Sequence, residues 1–143
     1  AIKALWSADS NLLGQTGTGK TYSALAVCRT LEDHWSFWYF PAWCATILDP
    51  ERRRGALEDA HADRLLVLDD FGAEYLKAGG LVETFVDELV WTREGNRLPT
   101  ILTTNLTPEG LRARITDRIV DRLNTWGRLV QVVGPSLRPG AEP

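Results

Sequence analysis

Methionine is absent from this 143-residue sequence, cysteine occurs only twice, and no apolar run reaches 18 residues. The missing apolar run argues against a membrane-spanning helix, which needs about 20 such residues. Cys28 and Cys44 offer neither a metal-ligand spacing nor a disulfide framework. Unpaired thiols suit a reducing compartment, so the expected location is cytoplasmic. No basic-then-apolar leader opens the chain, and nothing points to secretion. The Ala1 start without any methionine suggests a piece of something longer. Hydrophobic residues at 44% and charged residues at 24% exclude disordered, collagenous and low-complexity classes. The length fits one domain with a sizeable core.

The net charge of −3 is unevenly spread. Residues 111–143 carry six Arg against Asp117, Asp121 and Glu142, a balance of +3 that leaves the first 110 residues at −6. Such a stretch is either a solvated face or an arginine-bearing surface that meets an anion. The acidic total argues against a bulk nucleic-acid coat protein. Most of the six Trp fall near predicted strands and helices, as core or interface residues.

Strands alternate with helices along the chain. Residues 11–13 read as a strand end stopped by Gly14. Residues 20–32 read as a helix, with Ala24, Val27, Cys28 and Leu31 on one face. Residues 36–40 read as an aromatic strand ended by Pro41, and 42–48 as a helix followed by a charged stretch at Glu51–Arg54. Residues 65–68 form an unalternating apolar strand, the kind that parallel sheets bury on both faces. Residues 81–94 carry a stripe of Leu81, Val82, Phe85, Val86, Leu89 and Val90. Residues 100–104 form a strand, Thr107 caps a short helix opened by Pro108, 115–123 a further helix and 129–133 a last strand. The implied fold class is α/β, with a parallel sheet.

Gly14-Gln15-Thr16-Gly17-Thr18-Gly19-Lys20-Thr21 fits G-x-x-x-x-G-K-[ST] at every fixed position, between a predicted strand and a predicted helix. Glycines let the backbone turn tightly and aim its N–H groups at phosphate oxygens. The helix beginning near Lys20 adds its positive end. Lys20 then reaches the β- and γ-phosphates of a nucleotide, and Thr21 puts a hydroxyl on Mg²⁺. A glycine-rich turn with a stray lysine would lack this context. Asp69 and Asp70 close the apolar strand, where parallel sheets bind ligands. Asp69 is placed to hold Mg²⁺ through water and Asp70 to orient or deprotonate an attacking water. The plainer alternative is a helix-capping pair. Asn105 ends the next strand and either hydrogen-bonds the γ-phosphate or the water, or serves a turn.

Residues 14–21, 65–74, 98–111 and 117–123 together resemble the AAA+ domain of bacterial and phage helicase loaders of the DnaC and DnaI type, with the transposition helper IstB as close kin. The likeness spans roughly residues 10–138, and 98–111 carry its most specific part. It implies a P-loop NTPase three-layer sandwich of the AAA+ type, with about five parallel strands and no separate lid domain. It implies an ATP-binding core at 1–138 and a flexible tail at 139–143. ATP or ADP with Mg²⁺ would be the ligands, bound by Gly14, Gln15, Thr16, Gly17, Thr18, Gly19, Lys20 and Thr21. Asn105 matches the first sensor. Asp69 and Asp70 match the acidic pair, with Asp where many relatives have Glu at the second position, so hydrolysis is expected to be slow. Arg118 matches the arginine finger that reaches a neighbouring subunit's ATP, with Arg122 the second choice. Arg138 sits where relatives place a second sensor arginine.

The partners implied are a second copy of the chain, a replicative helicase or a transposase, and single-stranded DNA, with no membrane. The segment with which loaders contact their helicase has no counterpart in these residues. Arg52, Arg53 and Arg54 read as a solvated charge run, with a DNA patch as the alternative. The motifs do not separate a helicase loader from a transposition helper, and a non-hydrolysing nucleotide-dependent scaffold is a third reading. A small-molecule kinase shares only the phosphate loop.

Overall fold

Leu65, Leu66, Val67 and Leu68 are all buried, and this unalternating run forms one strand of a parallel sheet. The computed structural model describes residues 9–13, 17–31, 34–74, 76 and 79–132. Within them lie five strands: β1 (Asp9–Leu13), β2 (Trp35–Tyr39), β3 (Leu65–Asp69), β4 (Thr100–Thr104) and β5 (Gly127–Gln131). Six helices connect them: α1 (Lys20–Cys28), α2 (Phe40–Leu48), α3 (Pro50–Ala62), α4 (Leu81–Gly95), α5 (Pro108–Arg112) and α6 (Asp117–Trp126). The strands pair in parallel in the order β2-β3-β4-β1-β5.

Both faces of the sheet are covered, which explains the missing alternation. Leu65, Val67 and Ile101 pack with Ala24 and Cys28 of α1. Leu66, Leu68 and Leu102 point the other way, into a core built with α2, α3, α4 and α6. The result is a three-layer sandwich. The register sets Leu13 opposite Thr104 and Tyr39 opposite Asp69. The carboxyl ends of β1, β3 and β4 therefore share one edge.

Several boundaries differ from the sequence reading. Helix α1 ends at Cys28 instead of 32, and the N–H groups of Thr30 and Leu31 turn back to the carbonyls of Val27 and Cys28. Strand β2 stops at Tyr39, because Phe40 starts α2 and buries its ring with Trp43 and Ile47 at i+3 and i+7. Pro41 thus opens a helix instead of ending a strand. The charged stretch after residue 50 is the helix α3. Asp49 caps it by accepting from the Glu51 N–H at 3.0 Å, and only Ala56 and Ala60 are buried on it. Its three arginines are not one patch. Arg53 Nε donates to the Ile47 carbonyl at 2.6 Å and its guanidinium lies over Phe85, whereas Arg54 pairs with Glu58 one turn on. In α4 the apolar stripe starts at Val82, since Leu81 is exposed. Helix α6 runs from 117 to 126 and β5 from 127 to 131, each shifted from the expected span.

Arg93 of α4 is buried and acts as a polar staple. Its Nε donates to Thr100 Oγ1 at 2.8 Å, Nη1 to the Ala60 and Asp63 carbonyls, and Nη2 to the Pro99 carbonyl at 2.7 Å. It ties the end of α3 and the entry to β4 onto α4. Arg93→Met is expected to lower unfolding free energy by about 3 kcal/mol or more in urea titrations, because buried acceptors lose a charged donor.

Candidate functional site

Gly19 precedes α1 with φ +90°, and Gly17 has φ +89°. Both angles belong to the left-handed region that glycine enters without strain. They bend the chain so that Lys20 begins the helix and its side chain turns inward, where it is buried. Lys20 Nζ donates to Thr18 Oγ1 at 3.4 Å. Burial pushes the Lys20 ammonium below its ordinary pKa, and the charges of Asp70 and Asp69 pull it back up. Gly14, Gln15 and Thr16 lie outside the described residues.

The strand ends bring four further groups to the same place. Thr21 Oγ1 donates to Asp69 Oδ1 at 2.8 Å, which joins the first turn of α1 to the end of β3. Thr103 Oγ1 donates to the same oxygen at 2.6 Å. Thr103 Oγ1 also accepts from the Asp70 N–H at 3.0 Å, and its carbonyl accepts from the Phe71 N–H at 2.7 Å. Asp70 has φ +61°, an uncommon region for a residue with a Cβ. The two bonds to Thr103 hold it there. Asn105 Nδ2 then donates to Asp70 Oδ1 at 3.0 Å.

This arrangement can do definite chemistry. Among the described residues, both side-chain bonds to Asp69 fall on Oδ1, which leaves Oδ2 for another ligand. A hydroxyl beside a carboxylate is the donor set that Mg²⁺ accepts when phosphate oxygens and water complete its shell. No cluster of three or more His, Cys, Asp or Glu that could hold a metal by itself occurs among the described residues. The described residues Thr21 and Asp69 fit a magnesium ion brought by a nucleotide.

Thr103 was visible in the sequence only as part of a polar strand end. Its role in fixing both carboxylates follows from the β3–β4 pairing, which no local pattern reveals.

The arginines lie elsewhere. Arg118 Nη2 and Arg122 Nε each reach a carboxylate oxygen of Asp87 at 2.9 Å. The pairing crosses from α6 to α4 and does not run along α6 to Asp117 or Asp121. Arg138 lies outside the described residues. The two thiols are not reactive groups: burial raises Cys28 to about 11 and Cys44 to about 12.

Residues 11–125 match the family described as "ATPase family associated with various cellular activities (AAA)". No curated protein matches the chain. Among solved structures, the chain is similar to AMPPCP-bound DnaA from Aquifex aeolicus, at 19% identity and a TM-score of 0.79, over 92% of this chain and 44% of that one. It is similar to the DnaC helicase loader at 19% identity and a TM-score of 0.75, over 92% and 86%. It is similar to DnaI at 23% identity and a TM-score of 0.78, over 92% and 73%. The chain thus spans less than half the length of the DnaA structure and most of the other two.

Proposed function

The chain belongs to the AAA family of ATPases, and from that premise we propose that it binds ATP with Mg²⁺ between copies of itself, hydrolyses it slowly, and uses the cycle to load a replicative DNA helicase onto single-stranded DNA. The observation that carries the ATP site is the junction of Thr21, Asp69 and Thr103 with Asp70 and Asn105 at one sheet edge. The structural likeness to DnaC and DnaI supports the choice of partner.

In this reading the backbone of Gly14, Gln15, Thr16, Gly17, Thr18 and Gly19 cradles the phosphates, and Lys20 neutralises the β- and γ-oxygens. Thr21 and Asp69 hold the magnesium ion, which offsets charge on the phosphates. Asp70 takes the proton of the attacking water while Asn105 orients that water. Asn105 reaches this position by leaving or sharing its bond to Asp70. Arg118 does not join its own chain's cluster, which supports a role at a neighbour's γ-phosphate. Arg138 is assigned, as a second sensor, to the nucleotide held by residues 14–21 of its own chain. The core is proposed to cover 1–138 with a tail at 139–143, in a cytoplasmic protein.

Two measurements test this. Mixed with a replicative helicase and ATP, the chain is expected to raise the amount of helicase on circular single-stranded DNA. No increase, together with stimulation of a transposase, would move the reading to a transposition helper of the IstB kind. The second concerns Thr103. Thr103→Val keeps the shape and removes the hydroxyl. It is expected to cost about 1–3 kcal/mol of stability, because the Asp70 N–H is left without its acceptor. It is also expected to raise the Mg²⁺ concentration needed for half-maximal nucleotide binding by about tenfold, with Thr103→Ser restoring both.

A further inference from the structure

Asp87 takes no part in the nucleotide site. It is buried in the middle of α4, between Val86 and Leu89 of the apolar stripe. Two guanidiniums converge on it. Arg122 Nε donates to Oδ1 and Arg118 Nη2 meets Oδ2, each at 2.9 Å. The two arginines are one helical turn apart, so a single neighbour serves both.

Their surroundings differ in a way that separates their roles. The Arg122 side chain is 22% exposed and that of Arg118 is 68% exposed. One guanidinium is enough to balance the charge of Asp87, and Arg122 is the enclosed one. The second, that of Arg118, faces outward, in a cleft that Glu88 also lines, so two guanidiniums there meet two carboxylates. An arginine held through one nitrogen keeps the remaining donors of its planar fork for another acceptor. Helix α6 leads directly into β5, a strand parallel to the rest of the sheet. The end of α6 is therefore at the amino edge of the sheet, and its first turn, with Arg118, lies toward the carboxyl edge. Trp91, 61% exposed, lines the same shallow cleft as Asp87 and both arginines. Exposed tryptophan beside arginine is the composition of an interface centre.

We propose that Asp87 is the positioning residue for Arg118: it fixes the guanidinium at the start of α6 so that its free donors meet the γ-phosphate of ATP held by a neighbouring copy, while Arg122 anchors the carboxylate from the inner side. This rests on the trans role given to Arg118 above. It also gives the two arginines, one turn apart on α6, different roles on one carboxylate. Removing the charge of Asp87 leaves Arg118 on a flexible stem, and a misplaced charged group loses most of its effect on a transition state.

The test is subunit mixing. Lys20→Ala subunits carry an intact Asp87–Arg118 pair but no working phosphate site. Asp87→Asn subunits carry the reverse. Each alone is expected to hydrolyse ATP at least about tenfold more slowly than the parent. Mixed, they are expected to recover severalfold, because each supplies what the other lacks. Asp87→Asn alone should bind a fluorescent ATP analogue within about twofold of the parent. Sedimentation velocity with AMPPCP gives a readout without turnover, in which Asp87→Asn and Arg118→Ala shift assembly to higher concentration alike. Arg118→Ala mixed with Lys20→Ala is the reference. If that pair recovers and Asp87→Asn either matches the parent alone or stays slow in the mixture, the positioning role is wrong and the trans arginine stands. If the reference pair also fails to recover, the trans arginine is wrong, and this proposal with it. Should Asp87→Asn not fold, Asp87→Glu keeps the charge but displaces both guanidiniums, and the same mixtures are read with it.

Discussion

Lys20→Ala is expected to weaken ATP binding by about a hundredfold or more, with no loss of stability in the nucleotide-free protein. A charged donor to phosphate contributes about 1.5–3 kcal/mol per bond, and each 1.4 kcal/mol is a factor of ten. Lys20 is placed to make more than one such bond. The absence of a stability cost follows from its surroundings. The ammonium is buried and its pKa is depressed by that burial. It also sits in the first turn of α1, where the helix dipole disfavours a cation. Asp69 and Asp70 offset part of this. Alanine removes the buried charge and is the better helix former. Equilibrium titration with a fluorescent nucleotide and a thermal melt of the same samples check both halves. A variant that binds ATP as the parent does would remove Lys20 from the phosphate site.

Asp70→Asn is expected to lower kcat by about 10²–10³ while nucleotide affinity stays within about threefold. Loss of a general base costs a factor of this size. Asparagine is the informative replacement because of the backbone. Asp70 has φ +61°, and asparagine enters that region more easily than alanine does. Its amide oxygen can still accept from Asn105, as Asp70 Oδ1 does at 3.0 Å. The Asp70 N–H bond to Thr103 is untouched. Asp70→Ala adds backbone strain to the lost carboxylate, so its effect mixes two causes. Phosphate release under saturating ATP, paired with a binding titration, separates kcat from affinity. Equal loss of both would place Asp70 in nucleotide binding.

The features legible in the sequence are those whose signal is local. The run at 65–70 shows a doubly covered strand and its acidic end, because four successive apolar residues need no partner to be recognised. Thr107 caps its helix as expected, accepting from the Gly110 N–H at 3.1 Å. Lys20 and Thr21 begin a helix after a left-handed glycine, as the spacing requires. What escaped depends on distant partners. Helix α3 reads as a charged stretch in sequence because small Ala56 and Ala60 do its packing and most other positions are solvated. The start of α2 is hidden in sequence because Phe40 belongs to the aromatic run there and to the helix core in space. The bond of Thr103 to Asp69 needs the pairing of β4 with β3. The partner of Arg118 and Arg122 needs the packing of α6 on α4, although Asp87 left a trace as an acid inside an apolar stripe. Gly14, Gln15, Thr16 and Arg138 lie outside the described residues.

The central claim is that the edge built from Lys20, Thr21, Asp69, Asp70 and Asn105 is a Mg²⁺-dependent ATP hydrolysis site. Phosphate release from γ-labelled ATP tests it most directly, at protein concentrations high enough for copies to associate, with single-stranded DNA present and no second ATPase in the mixture. The expected result is slow release that requires Mg²⁺ and disappears in Asp70→Asn while that variant still binds ATP. No release from the parent under these conditions would contradict the hydrolytic site and leave a nucleotide-dependent scaffold in its place.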